Sequence, residues 1–559
     1  VSIPSDTGFV HDTHRRRTMS SKTRGLRRSL LALGLAGATA VAVAGPALAA
    51  PAIGNGQGSV HLAKGDLLVS TSHWTVTPNV VAGQTQLAPN CTPGNCVTAI
   101  AGGGYPGLLN NDQIDGSFGV TSPITLNELD PNSGAVLQSF DVPTDQAVTS
   151  FSSKSELALN QSTSGNAVTF MGYASTPGQL DVSNSNTPGV IDPTNPNPNA
   201  TYRVVITLGV DGKFTYTDTN AYSGNNGRAA VLNDAGGADS IYTAGNAGNG
   251  ANPQPTGVVM GAGAQIITPS KLDQAQQNPG QPTPVGSFSV TQLGDKADKV
   301  GKDTNFRGLT ISNNVLYFTK GSGSNGVNTV YFLDTTGTAC PTGVGVPAAG
   351  AQLPSAGLTA DAQSGLLPNN MCILAGFPTT TAKTDTDFFP FGLWFANKDT
   401  LYVSQEGDGS DGYDAATNTW TDAAASTTAG LQKYSFDAAS QSWKLDYTLQ
   451  NGLNLGQSYQ VAGYPTGDNS ITGLPWNPSV DGLRNINGRV NADGTVTIWA
   501  ATSTVSGGGD QGGDPNALVR VTDKVSATTA AANEKFQTVM APSYGTVVRG
   551  VSFTPGTKN

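Results

Sequence analysis

The chain has 559 residues, 12% of them charged and 70 of them glycine, with a formal net charge of −10. Segment 1–49 holds seven of the 29 basic and two of the 39 acidic residues, so the remainder stands at 22 − 37 = −15. That balance excludes nucleic acid and anionic bilayers as natural partners, and it leaves a surface built mainly from Ser, Thr, Asn, Gln and backbone.

In chain order, residues 1–18 read as an upstream extension. Arg24, Arg27 and Arg28 then precede an apolar stretch from Leu30 to Ala44 and the small residues Ala47-Leu48-Ala49, the three parts of an export signal. Arg27-Arg28-Ser29-Leu30-Leu31 also resembles a twin-arginine signal. Cleavage near Ala49 is expected to release a secreted or extracytoplasmic protein. The apolar stretch is too short and too rich in Gly and Ala to span a bilayer, so no membrane insertion is expected. Segment 50–58 reads as a linker and 59–556 as one domain.

Strand signals fill that domain. Segments 66–73, 122–129 and 135–142 have short, β-branched or aromatic patterns, the last two joined by the turn Asp130-Pro131-Asn132-Ser133-Gly134. Further on, Phe306-Arg307-Gly308-Leu309 leads to Val315-Leu316-Tyr317-Phe318, and Phe391-Gly392-Leu393-Trp394 leads to Thr400-Leu401-Tyr402-Val403. Candidate inner strands begin near Lys154, Arg228, Arg307, Phe391, Arg489 and Arg549, most of them about 80 residues apart. Helical period is nearly absent, with 356–367 and 527–535 the two places where a helical turn is expected.

The sixth marker comes too late in the chain to build a unit of its own, whereas segments 66–73, 122–129 and 135–142 lack a first strand. Pairing Val547–Thr554 with them closes a ring and removes two sheet edges. The expected fold is therefore all-β, a six-bladed β-propeller of four-stranded blades closed by the C-terminal strand, with seven blades if 451–483 hides strands.

Four cysteines form two sequence-local pairs, Cys91 with Cys96 and Cys340 with Cys372, read as disulfides of an oxidising compartment. The long Gly-rich loops, 75–117, 175–200, 245–256, 320–327, 406–428 and 503–515, should emerge on one face around the channel, where local function is expected. Lys154, Arg228, Arg307, Arg489 and Arg549 recur at equivalent repeat positions and would form a cationic ring, with Glu156 beside it. Forked guanidinium contacts suit carboxylate, sulfate or phosphate; the alternative is that each pairs with an acid of the next blade. Glu406, Asp408, Asp411 and Asp414 gather within nine residues and form a candidate Ca2+ loop without EF-hand spacing. His73, beside Trp74, reads as packed within a strand and not as a catalytic base.

The phrases Arg307-Gly308-Leu309 and Arg549-Gly550-Val551, with the hairpin Leu129-Asp130-Pro131-Asn132-Ser133-Gly134, resemble secreted six-bladed propellers of the NHL-repeat and gluconolactonase-like class. The resemblance implies a divalent metal at the channel mouth, with Glu156 as the one position matched to a ligand. Two functional expectations follow: binding of an extracellular small molecule, saccharide or protein on the loop-rich face, or a calcium-dependent hydrolase or lyase acting on an acidic saccharide or lactone.

Overall fold

The computed structural model describes residues 59–557 except 117, 189–199, 237–238, 247–262, 271–284, 288, 291–304, 323–326, 355–369 and 381–386. The expected export signal and linker, the expected helical turn at 356–367 and parts of four expected loops lie outside the described residues. Six mainly antiparallel sheets succeed one another along the chain, the six blades of a propeller. Blade 1 is ordered Thr546–Phe553, Leu67–His73, Ile124–Leu129, Val136–Asp141, so the C-terminal strand is its innermost member. Leu67 pairs with Phe553 and Val69 with Val551, the closure expected from the unpartnered first and last segments.

Blades 2 to 6 begin with the inner strands Asn160–Gln161, Gly227–Asn233, Phe306–Ser312, Pro390–Asn397 and Ser479–Val490. Blade 5 continues with Thr400–Gln405, the strand expected at Thr400-Leu401-Tyr402-Val403, then Gly430–Asp437 and Ser442–Leu449. Blade 4 carries two extra two-residue strands on its outer edge. Segment 451–478 adds only isolated bridges, so there is no seventh blade among the described residues, and 527–535 forms turns, not helix. The first outer hairpin turns where expected, Asp130 Oδ1 accepting from the Asn132 and Ser133 amides, and Gly134, Gly212 and Gly337 take φ of 74°, 72° and 72° at their hairpins.

The apolar core lies between blades. Strand residues alternate between the two faces of a sheet and both faces are covered, so Leu67 and Val69 pack toward Trp499 and Leu518 of blade 6 while Leu68 packs toward Phe170 and Val204 of blade 2. The same sandwiching joins blades 2 and 3, 3 and 4, 4 and 5, and 5 and 6. Cys340–Cys372 closes within the seam of blades 4 and 5, and Cys91–Cys96 closes a surface loop. Both expected disulfides are present.

Candidate functional site

Around the channel, neighbouring blades approach so closely that three of the inner strands require glycine at one position. A Cβ on Gly308 would lie 2.3 Å from the Phe391 carbonyl oxygen, one on Gly392 2.9 Å from that of Arg484, and one on Gly550 2.2 Å from that of Leu157. In each of these blades a hydroxyl on the second strand bridges the gap. Ser70 accepts from the Gly550 amide at 2.8 Å and donates to the Leu157 carbonyl at 2.8 Å. Thr319 likewise links Gly308 to Phe391, and Ser404 links Gly392 to Arg484. Between blades 6 and 1 the Asn485 amide takes over, donating to the Arg549 carbonyl at 2.9 Å.

These contacts fix the register. Residues preceding this position, held by Gly550, Ala158, Ala229, Gly308, Gly392 and Asn485, are equivalent around the hub, and they are Arg549, Leu157, Arg228, Arg307, Phe391 and Arg484. Blade 6 thus contributes Arg484, which the sequence reading missed in favour of Arg489. Arg489 sits farther along the strand, its guanidinium 5.8 Å from the Trp499 ring and 6.0 Å from the Phe553 ring in the seam with blade 1. The strand Ser479–Val490 has register shifts between Val480 and Gly482 and between Leu483 and Ile486, which displace Arg489 from the hub layer. Lys154 precedes the short inner strand of blade 2 yet still reaches the centre.

Arg228, Arg307, Arg484 and Arg549 are all buried. Glu406, immediately after the second strand of blade 5, lies 3.4 Å from Lys154, 3.6 Å from Arg307 and 3.6 Å from Arg484. Burial alone would raise the Glu406 pKa, but the three cations hold it below the ordinary value. Arg307 also donates to Ser155 and Ser322 and lies over the Phe391 ring at 5.4 Å. Arg228 donates to Asn305 and to the Phe306 carbonyl, and Arg549 to the Phe151 carbonyl and Ser72.

Positive charge is nevertheless in excess. Burial, then the proximity of Arg307, lowers the Arg228 pKa to about 9; burial, then the proximity of Arg484, lowers that of Arg549 to about 9. Lys154 is lowered as well, because burial and the two nearby guanidiniums together outweigh the attraction of Glu406. Arg228 Nε, Arg307 Nε and Arg549 Nη1 are buried without a hydrogen-bond partner among the described residues, and Arg484 Nε faces Glu406 at 3.6 Å, beyond hydrogen-bond distance. Lys154 keeps 42% side-chain exposure, which marks the solvent-open side of the hub.

Glu156 is buried beside this cluster, but both its oxygens are occupied. Oε2 accepts from Thr149 at 2.6 Å and the Ser150 amide at 3.0 Å, and Oε1 accepts from Tyr173 and from Asn226 at 2.9 Å. Four donors leave no lone pair for a metal, so the ligand role implied by the resemblance does not fit this residue. The acidic loop does not assemble either. Glu406 turns to the cations, Asp408 accepts from the Ser410 amide, and Asp414 accepts from Ala416 and Thr417 at a solvent turn. Asp411 completes no group: among the described residues, the one set of three metal-ligating atoms within 4.8 Å is Asp334 with the disulfide-bonded Cys340 and Cys372. These residues do not fit a calcium site. His73 is held between Thr71 and Thr546, at 3.0 and 3.2 Å from its two ring nitrogens, and burial lowers its pKa.

The long loops pack over the hub as a second layer. Tyr105, Leu109, Phe151, Val461 and Tyr464 form an apolar cluster there. Tyr105 donates to the Gly513 carbonyl at 3.1 Å, and the amides of Asn110 and Asn469 bond each other. Burial raises to about 7 the pKa of Asp514 in this layer and of Asp481 on the inner strand of blade 6.

No family model and no curated protein matches the chain. Among solved structures, an ACO/RPE65 chimera aligns at 8% identity over 78% of this chain and 70% of that one, with a TM-score of 0.27. The extracellular domains 1–2 of Drosophila semaphorin 1a align at 11% identity over 81% and 88%, with a TM-score of 0.24.

Proposed function

We propose that this is an exported propeller that binds a ligand through a compact anionic group, a carboxylate, sulfate or phosphate, held at the hub by Lys154, Arg228, Arg307, Arg484 and Arg549. One observation carries the reading: Lys154, Arg307 and Arg484 converge on the one carboxylate of Glu406, with Arg228 near Arg307 and Arg549 near Arg484, and Arg228, Arg307 and Arg549 each keep a buried N–H without an acceptor among the described residues. A desolvated donor without a partner costs about 1–3 kcal/mol, and a polyoxygen anion would answer several at once. The two disulfides agree with an oxidising compartment. The hydrolase or lyase reading draws no comparable support, since its proposed base or metal ligand, Glu156, is hydrogen-bonded on both oxygens.

Calorimetric titration with sulfate, phosphate and malonate at constant ionic strength tests the proposal. Saturable binding of at least one is expected, weakened about tenfold in Lys154→Ala, which removes one charge, or about 1.4 kcal/mol. The proposal is lost if none of the three anions binds, or if Lys154→Ala and Arg484→Gln bind as the parent protein does.

A further inference from the structure

The opposite end of the channel, where the inner strands finish, holds a cavity of about 710 Å3. Five of the six inner strands contribute to it, through Asn160, Val231, Thr310, Trp394 and Asn487 among others. Small-molecule sites typically run about 300–1,000 Å3. None of the 23 described lining residues is charged, although the chain average of 12% would place about three charges there. The ring of small residues around Gly308, Gly392 and Gly550 separates this cavity from the guanidinium layer, so it is chemically distinct from the hub.

Its walls mix amides, hydroxyls and an indole with aliphatic side chains such as Val231, Ile311 and Leu353. The side chains of Thr310, Asn313, Asn314 and Gln352 line it and hydrogen-bond to no described residue. Asn313 and Asn314 take φ of 48° and 60°, the hairpin turn that asparagine tolerates. Trp394, half-buried, is seated on Gly488, where a Cβ would come within 2.7 Å of the indole ring. Amide and hydroxyl groups both donate and accept, as sugar hydroxyls do, and an aromatic face suits the C–H side of a pyranose. An uncharged lining offers nothing to an ionic ligand.

We infer that this mouth binds a neutral saccharide of one or two rings, with Trp394 as the stacking platform and Asn314 and Gln352 as hydrogen-bonding partners. The inference does not rest on the anion site, because it draws on different residues at the other end of the channel.

Titration of the full chain with maltose, cellobiose and chitobiose, with glucuronate as the charged comparison, decides it. At least one neutral disaccharide should bind with Kd of about 1 mM or tighter, and Trp394→Ala should weaken it at least about tenfold. Should Trp394→Ala fail to fold, the double variant Asn314→Ala/Gln352→Ala, on exposed positions, should show the same loss. Absence of binding by all three neutral sugars, parental affinity in the folded variants, or a preference for glucuronate would each overturn the inference.

Discussion

Replacing Glu406 by Gln keeps the shape of the hub and removes the charge that faces three cations. At 3.4–3.6 Å, and with an effective dielectric of about 20, each pair amounts to roughly 5 kcal/mol of Coulomb energy before desolvation. Desolvation cancels much of that sum, and breaking a buried ion pair costs about 3–5 kcal/mol in practice. Glu406→Gln should therefore lose about 3–5 kcal/mol of unfolding free energy. The same substitution makes the hub one charge more positive, so a bound anion should recover part of the loss. An anion at a hundred times its Kd stabilises by about 2.7 kcal/mol, and a tenfold tighter site adds about 1.4 kcal/mol. The assay is urea unfolding in sodium sulfate against sodium chloride of equal ionic strength. Sulfate strengthens burial in any protein, so the informative quantity is the extra stabilisation of the variant over the parent. Equal sulfate effects on both would refute the idea that the hub accepts an anion.

Three further outcomes follow from the same geometry. Thr319→Ala removes a hydroxyl that both accepts from Gly308 and donates to Phe391 and should cost about 1–3 kcal/mol, while Gly308→Ala drives a Cβ into the Phe391 carbonyl and should cost at least about as much; urea midpoints measure both. Asp481 and Asp514, raised to about 7 by burial, bind protons in the native state that the unfolded chain has released. Stability should accordingly fall as pH rises from about 4 to 7, by up to about 1.4 kcal/mol per pH unit for each group. Glu406, held low, contributes in the opposite sense, its stabilisation being lost as pH falls below its ordinary range. Asp481→Asn should flatten the slope above pH 5, read from unfolding midpoints across pH 4–9. Arg489→Gln should leave anion titrations unchanged and cost about 0.5–1 kcal/mol through its lost ring contacts.

The ring closure was legible because hydrogen-bonding arithmetic exposes it: a first strand without followers and followers without a first strand require each other. Blade 5 was legible for a local reason, its strands being bounded by Asp and Gly turns whose backbone needs are residue-specific. Arg228, Arg307 and Arg549 were found because a small residue follows each of them. Arg484 was hidden because Asn485 replaces the glycine, its amide making the blade-to-blade bond itself, and because Gly488-Arg489-Val490 imitates the expected phrase. In blade 2 the hub position belongs to Leu157, at a φ of 63°, and no residue pattern announces it. Nor could glycine content reveal that the long loops fold over the hub, since that depends on tertiary contacts between Tyr105, Phe151 and Tyr464.

Consider the order in which the polypeptide is made. Leu67 must wait for Phe553, 486 positions downstream, before its inner edge is covered. Until then blade 1 presents an open β edge, and the centre lacks one of its four guanidiniums. Contacts so distant in sequence make for slow assembly, and the nascent molecule would remain a horseshoe for nearly the whole of its synthesis. Until Thr546–Phe553 is in place the ring cannot lock.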